Sequence, residues 1–144
     1  MIQFQNADVK FSLQNKADIK NWIKAVIAEH YKKTGDLSLV FCSDKYLLEI
    51  NRQYLQHDFY TDIITFDYCE GKSISGDLLI SVDRVEENAQ KLNVPFEEEL
   101  LRVIIHGILH LIGFKDKTLS EVKAMRNAEN NSLALLKNHQ RQAQ

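Results

Sequence analysis

The chain has 144 residues, of which 44% are hydrophobic and 26% charged, and its formal net charge is −2. These values are typical of a globular protein with one core, and we expect a single domain over residues 1–144. No apolar run approaches the roughly 18 residues of a membrane helix, and we expect no signal peptide. The net charge argues against a generally basic nucleic-acid binder, although it is compatible with a local basic groove. Cys42 and Cys69 form no C-x-x-C motif, so we expect reduced thiols and a cytoplasmic location.

Hydrophobic periodicity divides the chain into strand and helix segments. Alternation of apolar and polar residues indicates a strand, and apolar residues at helical spacing indicate a helix. The predicted strands lie within 1–13 (one or two short strands), 37–41, 63–68 and 78–82, and the predicted helices at 15–34, 44–54, 83–92, 96–112 and 119–137. We expect Gly35 to end the first helix, and Thr118 with Glu121 to form a capping box for the last one. The tail from about residue 138 is polar and is expected to fray.

The order of these segments indicates the fold class. Strands and helices alternate without a regular βαβ rhythm, and adjacent strands are expected to be joined as hairpins. We therefore predict an α+β fold of mixed α/β layers, with a small, mostly four-stranded mixed sheet and about five helices. The helix at 96–112 is apolar on nearly all sides, which predicts a buried central helix.

Two histidines, His106 and His110, stand four residues apart in this central helix. Residues at that spacing share a helix face, so both imidazoles can reach one metal ion. Gly113 allows the chain to turn back, and the carboxylate of Asp116 can then return to the same point. The pattern predicts a metal site of His106, His110 and Asp116, with a coordination position left for water.

A simpler interpretation of these histidines is core packing, which is the commoner role of a single histidine in an apolar run. Two imidazoles at this spacing, followed by a turn and an acid, favour a metal site because unpaired polar groups are costly in apolar surroundings. Gly107 stands where zinc peptidases of the H-E-x-x-H type carry their general base, so peptidase activity is disfavoured. Glu129 is a fallback third ligand, although a solvated or salt-bridged helix residue is the better interpretation.

The stretch His106–Phe114 resembles the signature H-G-x-L-H-L-x-G-[YF]-D-H of the YbeY family of bacterial endoribonucleases. Leu48–Phe66 is similar to the family's segments L-N-x-x-Y-R and T-D-V-L-S-F, and Gly76–Leu78 is similar to its G-D-[IL] strand. Met125 and Glu129 match the M-x-x-x-E of its final helix. The resemblance covers nearly the whole chain.

This resemblance implies a metal-dependent, single-strand-specific endoribonuclease that acts in rRNA processing and in ribosome assembly or quality control. It implies one divalent metal ion, Zn²⁺ first, and a small mixed sheet with helices packed around it. The implied partners are RNA (rRNA precursors) and the ribosome or small-subunit proteins, with no membrane.

Two positions depart from the family pattern. The family's third histidine ligand corresponds to Asp116, and the acid before it corresponds to Lys115. A carboxylate still binds zinc, but it lowers the charge of the site and brings Mn, Fe or Ni into consideration. The family's arginine after tyrosine falls on Leu55, so its cation is expected from Arg52 or Lys117, or is absent.

Asp62 and Arg52 are the predicted catalytic residues. Asp62 is expected to assist proton transfer, with Asp116 as the alternative, and the nucleophile is either water or the neighbouring ribose 2′-OH. Phe66 and Tyr68 are candidates for base stacking, although core packing is the better interpretation. A basic group near the site could follow a phosphate backbone or form a solvated face; its members are Lys115, Lys117, Lys123 and Arg126.

Three functions from different classes remain open at this point. The first is the endoribonuclease, which the resemblance favours. The second is another metallohydrolase that uses the same site on a small ester or amide. The third is a non-catalytic, ribosome-associated factor with a structural metal, which the two departures keep open. A 2-His-1-carboxylate iron oxygenase is a weaker alternative.

Overall fold

The computed structural model describes the backbone of residues 1–142 and the side chains of residues 1–138. Over this part of the chain, four strands form one sheet and five helices pack around it. The strands are β1 (Ile2–Asn6), β2 (Lys33–Cys42), β3 (Ile63–Asp67) and β4 (Ser73–Ser81). The helices are α1 (Lys16–Glu29), α2 (Asp44–Leu55), α3 (Val82–Leu92), α4 (Phe96–Ile112) and α5 (Leu119–Gln142). The predicted α+β class, with a four-stranded mixed sheet and five helices, is confirmed.

The strands pair in the order β1-β2-β4-β3. β2 is parallel to both β1 and β4, and only β3 and β4 form an antiparallel pair. The prediction that adjacent strands form hairpins is therefore wrong except for β3 and β4. Parallel neighbours require a crossover, and α1 supplies it between β1 and β2.

Gly35 lies inside β2, so the prediction that it ends the first helix is also wrong. α1 ends at Glu29, and Tyr31 follows with a φ of 60°, in the left-handed region that closes helices. A Cβ at Gly35 would overlap with Ser75 Oγ and would lie 2.9 Å from the carbonyl oxygen of Ile74. Gly35 is thus needed for the close approach of β2 to β4.

α4 lies in the main core, where it contacts β3 and β4 of the sheet and packs against α1, α3 and α5. Ile104, Ile105, Ile108 and Leu109 of α4 have 0% of their surface exposed, as expected for a helix that is apolar on nearly all sides. The indole nitrogen of Trp22 donates a 2.7 Å hydrogen bond to a carbonyl of α5. This bond ties α1 to α5, two of the helices that pack against α4.

α2 covers the opposite face of the sheet with a smaller apolar cluster. Leu47 of α2 is buried there with Cys42, Ile64 and Leu79. Ser43 caps α2 by accepting a hydrogen bond from the backbone N–H of Tyr46. α2 leads directly into residues 56–62, which connect it to β3.

α5 begins with the predicted capping box. Thr118 Oγ1 accepts from the N–H of Glu121 at 3.1 Å, and Glu121 Oε1 accepts from the N–H of Thr118 at 2.9 Å. The α5 backbone is helical to Gln142, and residues 143–144 of the tail expected to fray lie outside the described residues. Among the described helices, none is both long and apolar enough to cross a membrane.

Candidate metal centre

α4 presents His106 and His110 on one face, as their spacing predicts. Their ring centroids are 4.6 Å apart, with the ring planes at 84°. Each side chain is about a quarter exposed, so the two rings lie at the surface end of an otherwise buried helix. A rigid, packed helix is the kind of element that holds metal ligands in fixed positions.

The chain turns back after α4 and returns Asp116 to the two histidines. Gly113 closes the helix with a φ of 129°, a conformation that L side chains rarely adopt. Asp116 Oδ2 then lies 3.4 Å from His106 Nε2 and 3.2 Å from His110 Nε2. One ligand atom from each of the three residues lies within 4.8 Å of the other two. The three residues predicted from sequence are thus brought together at one point.

The second nitrogen of each histidine has its own hydrogen-bond partner. His110 Nδ1 donates to the carbonyl oxygen of Phe114 at 3.0 Å, and His106 Nδ1 donates to Glu129 Oε2 at 2.7 Å. Both partners only accept, so each Nδ1 carries a proton, and a neutral imidazole then offers its Nε2 lone pair to a cation shared with Asp116.

This donor set fits a divalent cation. Two Nε2 lone pairs and one carboxylate oxygen face each other, and acceptors in such proximity are stabilised by a positive charge between them. The arrangement corresponds to the zinc sites that use two histidines and one carboxylate.

Glu129 of α5 orients His106 through the hydrogen bond to Nδ1, the ring nitrogen that faces away from Asp116. Only 5% of its surface is exposed, and its second oxygen accepts from Arg102 Nη1 at 2.9 Å, with Arg126 Nη1 at 3.6 Å. Burial by itself would raise the pKa of the Glu129 carboxyl, but the hydrogen bonds from His106 and Arg102 prevail and lower it. The expected salt bridge is present, although the residue is buried rather than solvated.

The charge on Glu129 acts in turn on His106. Burial opposes a charged imidazole, yet the hydrogen bond and negative charge of Glu129 raise the pKa of His106 above its ordinary value. An anionic partner of this kind makes an imidazole more basic and therefore a stronger metal ligand.

A cavity of about 270 Å³ opens beside His106 and Asp116. Its walls come from α4, α5 and the segment that precedes β3. The residues that line it are Asp62, Ile63, Glu99, Arg102, Val103, His106, Asp116, Val122, Met125, Arg126 and Glu129. The cavity thus combines a cluster of metal-binding donors with two guanidinium groups and further carboxylates.

Asp62, one of the two predicted catalytic residues, lines this cavity. Asn88 Nδ2 donates to its carboxylate at 3.3 Å, and its own carbonyl accepts from the N–H of Ser81 at 2.9 Å. Burial raises the pKa of Asp62, against the lowering effect of His106 and Arg84. A partly desolvated carboxyl with a raised pKa is suited to proton transfer, and its catalytic role stays a prediction.

Arg52, the other predicted catalytic residue, does not line the cavity. It is exposed on α2 and pairs with Asp58 at 2.5 Å and with Glu49 at 3.0 Å. Its catalytic role also stays a prediction. The guanidinium groups that line the cavity belong to Arg102 and Arg126, and of the predicted basic group only Arg126 is among the lining residues.

Sequence reasoning did not single out Arg102 or Glu99. Both precede His106 on α4, by four and seven residues, so the helical repeat would have placed them on its face. Only 7% of the surface of Glu99 is exposed, and burial, together with the charge of Asp62, raises the pKa of its carboxyl.

Gly107 lies on the side of α4 that packs against the sheet. A Cβ at this position would lie 2.6 Å from Ile63 Cδ1 and 2.7 Å from Leu78 Cδ2. A glutamate here would point into the core rather than toward the three ligands, which agrees with the sequence argument against a peptidase.

Comparisons with known proteins cover the part of the chain that carries these residues. A family model described as Endoribonuclease YbeY matches residues 1–137. The chain is 53% identical to Endoribonuclease YbeY of Bacteroides fragilis over 136 residues, which cover 94% of this chain and 98% of that one. It is 54% identical to the Phocaeicola vulgatus protein of that name over 136 residues (94% and 99%). The solution structure of TM1509 from Thermotoga maritima matches with a TM-score of 0.66 at 26% identity, over 99% of this chain and 93% of that one.

Proposed function

This chain belongs to the YbeY family of endoribonucleases, and on that premise we propose that His106, His110 and Asp116 hold the metal ion of its ribonuclease site. The chain is accordingly a hydrolase of RNA phosphodiester bonds, and RNA is its substrate. The observation that carries the proposed site is the convergence of two Nε2 atoms and one carboxylate oxygen, with both Nδ1 atoms already bonded.

The donor set favours Zn²⁺ as the ion. Two imidazole nitrogens and one carboxylate match the ligands of catalytic zinc sites. Because the carboxylate lowers the net charge of the site, Mn, Fe and Ni are the alternatives that metal analysis must distinguish. When bound, such an ion supplies Lewis acidity: it polarises a phosphoryl oxygen and makes water a stronger acid.

The cavity residues suggest how the chain assists cleavage. Asp62 carries a carboxyl whose pKa is raised by burial, and it takes or returns the proton that moves during phosphodiester hydrolysis. Arg102 and Arg126 supply positive charge on the wall that α4 and α5 form, where they can stabilise charge on the phosphate. Arg52 is the second catalytic candidate, and its exposed position fits a contact with RNA outside the cavity.

We further propose rRNA precursors as the physiological RNA, in the cytoplasm and in contact with the ribosome or small-subunit proteins. Family membership is the support for this assignment. Co-sedimentation of the protein with ribosomal subunits, and accumulation of unprocessed rRNA in cells that carry Asp116→Ala, test it. Normal rRNA ends in such cells would contradict the ribosomal role without affecting the nuclease.

The metal site is tested by elemental analysis of protein purified without a His-tag. We expect about one equivalent of metal per chain in the wild type, and little or none in His110→Ala or Asp116→Ala. Cleavage of single-stranded RNA should fall to the buffer background in both variants. Lys115→Ala is the matched control, because Lys115 neighbours the site in sequence but contributes no ligand.

Two results would overturn this assignment. Wild-type protein that takes up no metal after incubation with Zn²⁺, Mn²⁺, Fe²⁺ and Ni²⁺ would show that Asp116 does not complete a site. Asp116→Ala protein that keeps both metal and cleavage would show that another group is the third ligand.

A further inference from the structure

The segment between α2 and β3 exposes two large aromatic side chains next to each other. Phe59 is 54% exposed and Tyr60 is 52% exposed. Adjacent aromatic rings at a protein surface often mark a binding site rather than a packing defect. We call residues 57–60 the aromatic loop.

The backbone of the aromatic loop is fixed although its side chains are exposed. Asn51 of α2, with only 1% of its surface exposed, donates from Nδ2 to the carbonyl oxygen of Phe59 at 2.8 Å. The carbonyl of Asn51 accepts from the N–H of His57 at 3.0 Å. Asn51 thus holds the loop at two points, through its buried side-chain amide and through its backbone carbonyl, and the exposure of Phe59 and Tyr60 is built into the fold.

Each of the two rings is supported by a neighbour. Phe59 stacks on His57, with centroids 5.0 Å apart and planes at 22°. The Arg84 guanidinium lies 5.1 Å from the centroid of the Tyr60 ring, and Asp44 holds Arg84 with a 2.6 Å ion pair. Supported rings that remain half exposed are suited to stack a further flat group.

The aromatic loop leads directly into the cavity beside His106 and Asp116, which we call the metal cavity. Asp62, which lines the cavity, follows Tyr60 by two residues. Consecutive Cα atoms are 3.8 Å apart, so the Cα atoms of Tyr60 and Asp62 are separated by less than about 8 Å. Neither Phe59 nor Tyr60 is among the residues that line the cavity, but this short chain distance places the aromatic loop within reach of a nucleotide next to one whose phosphate enters the cavity.

We propose that Phe59 and Tyr60 form a stacking platform for the bases that flank the cleaved phosphodiester of single-stranded RNA. This inference rests on the proposed ribonuclease function and adds the side chains that select the substrate. Every base has a π-face, so stacking of this kind tolerates any sequence. It requires bases that are free to leave the helical stack, which duplex RNA does not offer, so the platform selects single strands.

Tyr68 provides a matched comparison on the same sheet edge. It is 58% exposed, so the core packing favoured for Tyr68 from the sequence is wrong. Its exposure is close to the values for Phe59 and Tyr60, but it lies beyond the other end of β3. Six residues separate it from Asp62, which corresponds to about 20 Å along an extended strand. A contribution from exposed aromatic surface in general would affect Tyr68 and the aromatic loop equally, whereas the platform concerns the loop alone.

Binding of a fluorescently labelled single-stranded oligouridylate tests the platform. Fluorescence anisotropy is measured on the metal-loaded protein in the cold, and the oligouridylate is checked for cleavage by gel electrophoresis after each titration. We expect Phe59→Ala and Tyr60→Ala each to weaken binding about tenfold, Tyr60→Trp to bind at least as well as the wild type, and Tyr68→Ala to bind normally. The wild type should bind the same strand in a duplex far more weakly.

The metal content of each loop variant separates this proposal from the ribonuclease function. Loop variants that keep their metal but lose RNA affinity support the platform. Loop variants that bind oligouridylate within twofold of the wild type, or that weaken no more than Tyr68→Ala, would overturn it while leaving the metal site intact. Absence of RNA cleavage by the metal-loaded wild type would instead contradict the proposed function.

Discussion

The metal cavity has two walls that are built in different ways. The helical wall comes from α4 and α5 and carries Glu99, Arg102, His106, Arg126 and Glu129. Its side chains are held by the helical repeat and by ion pairs between the two helices. The loop wall is the segment 56–62, which reaches the cavity through the partly buried carboxylate of Asp62 and is held by hydrogen bonds with Asn51, Ser81 and Asn88.

This difference shows how one small fold can separate two requirements of a nuclease. Metal ligands must keep their geometry to within a fraction of an ångström, and a packed helix with buried ion pairs provides that rigidity. Contacts to RNA must adapt to different bases. Exposed aromatic rings on a loop allow this because they can stack on any base. Damage to the helical wall should therefore affect metal binding, and damage to the loop wall should affect RNA binding.

The largest effect on stability is expected from Gly107→Glu, which disrupts the packing of α4, and so of the helical wall, against the sheet. The new side chain would meet Ile63 and Leu78 and bury an unpaired carboxylate. We expect the free energy of unfolding to fall by about 3–5 kcal/mol, measured by urea denaturation. Leu119→Glu is the control, because Leu119 is 85% exposed and a charge there should change stability by less than about 0.5 kcal/mol. A Gly107→Glu protein as stable as the wild type would mean that this position does not face the core.

Glu129→Gln is expected to weaken the helical wall without unfolding it. An amide nitrogen placed against His106 Nδ1 can donate, which favours the tautomer with its proton on Nε2 and blocks that atom as a ligand. Metal affinity should fall about 10- to 100-fold in a competition titration with a chromophoric chelator. The ¹⁵N shifts of the His106 ring in metal-free protein should report the change of tautomer.

Asn130→Ala is the matched control for Glu129→Gln. Asn130 accepts from Arg102 Nη2 at 3.0 Å but does not touch His106, so its loss should leave metal affinity within about twofold of the wild type. Equal affinities for Glu129→Gln and the wild type would show that Glu129 does not orient the ligand.

Asn51→Ala tests whether the loop wall can be loosened without loss of metal. It removes the buried amide that bonds to the carbonyl of Phe59, which should lower the free energy of unfolding by about 1–2 kcal/mol and loosen the aromatic loop. Affinity for single-stranded RNA should fall while metal content stays at the wild-type level. Gln53→Ala, at an exposed position of the same helix, should change neither property. Loss of metal in Asn51→Ala would show that the two walls are not independent.

The smallest effect is expected from the cap where α5 begins. Thr118→Ala removes the acceptor for the N–H of Glu121 and should lower the free energy of unfolding by about 1 kcal/mol or less, with metal and RNA binding retained. A larger loss, or a loss of metal, would indicate that the cap also positions Asp116.

The capping box also predicts a pH dependence. The backbone hydrogen bond from Thr118 lowers the pKa of Glu121 below its ordinary value of 4.5. A carboxyl whose pKa is lower in the folded state stabilises the fold above its unfolded pKa, and this contribution is lost as the pH falls through the folded pKa. The difference in melting temperature between the wild type and Glu121→Gln should therefore be present at neutral pH and vanish in acid. A difference that persists in acid would mean that charge on Glu121 is not involved.

Much of the fold and of the metal cluster could be predicted from the sequence because those features are local. The four-residue spacing of His106 and His110 fixes a shared face by helix geometry alone. Gly113 marks the turn that brings Asp116 back, and the capping box of α5 lies within four consecutive residues. In each case the interacting groups are separated by a few residues, so backbone geometry limits where they can go.

The tertiary structure decided what depends on contacts between distant segments. From the sequence, Gly35 is expected to end a helix, but in the structure it allows β2 to approach β4 closely. The parallel pairing of these two strands leaves no signal in the local sequence of either strand. Glu129 and His106 are 23 residues apart, so only the packing of α5 on α4 makes them partners. Asp62 reaches the cavity, and the aromatic loop lies next to it in the chain, because Asn51 and Ser81 hold the loop backbone. Such contacts depend on how whole elements pack, and a periodic pattern in one element does not specify the element it will meet.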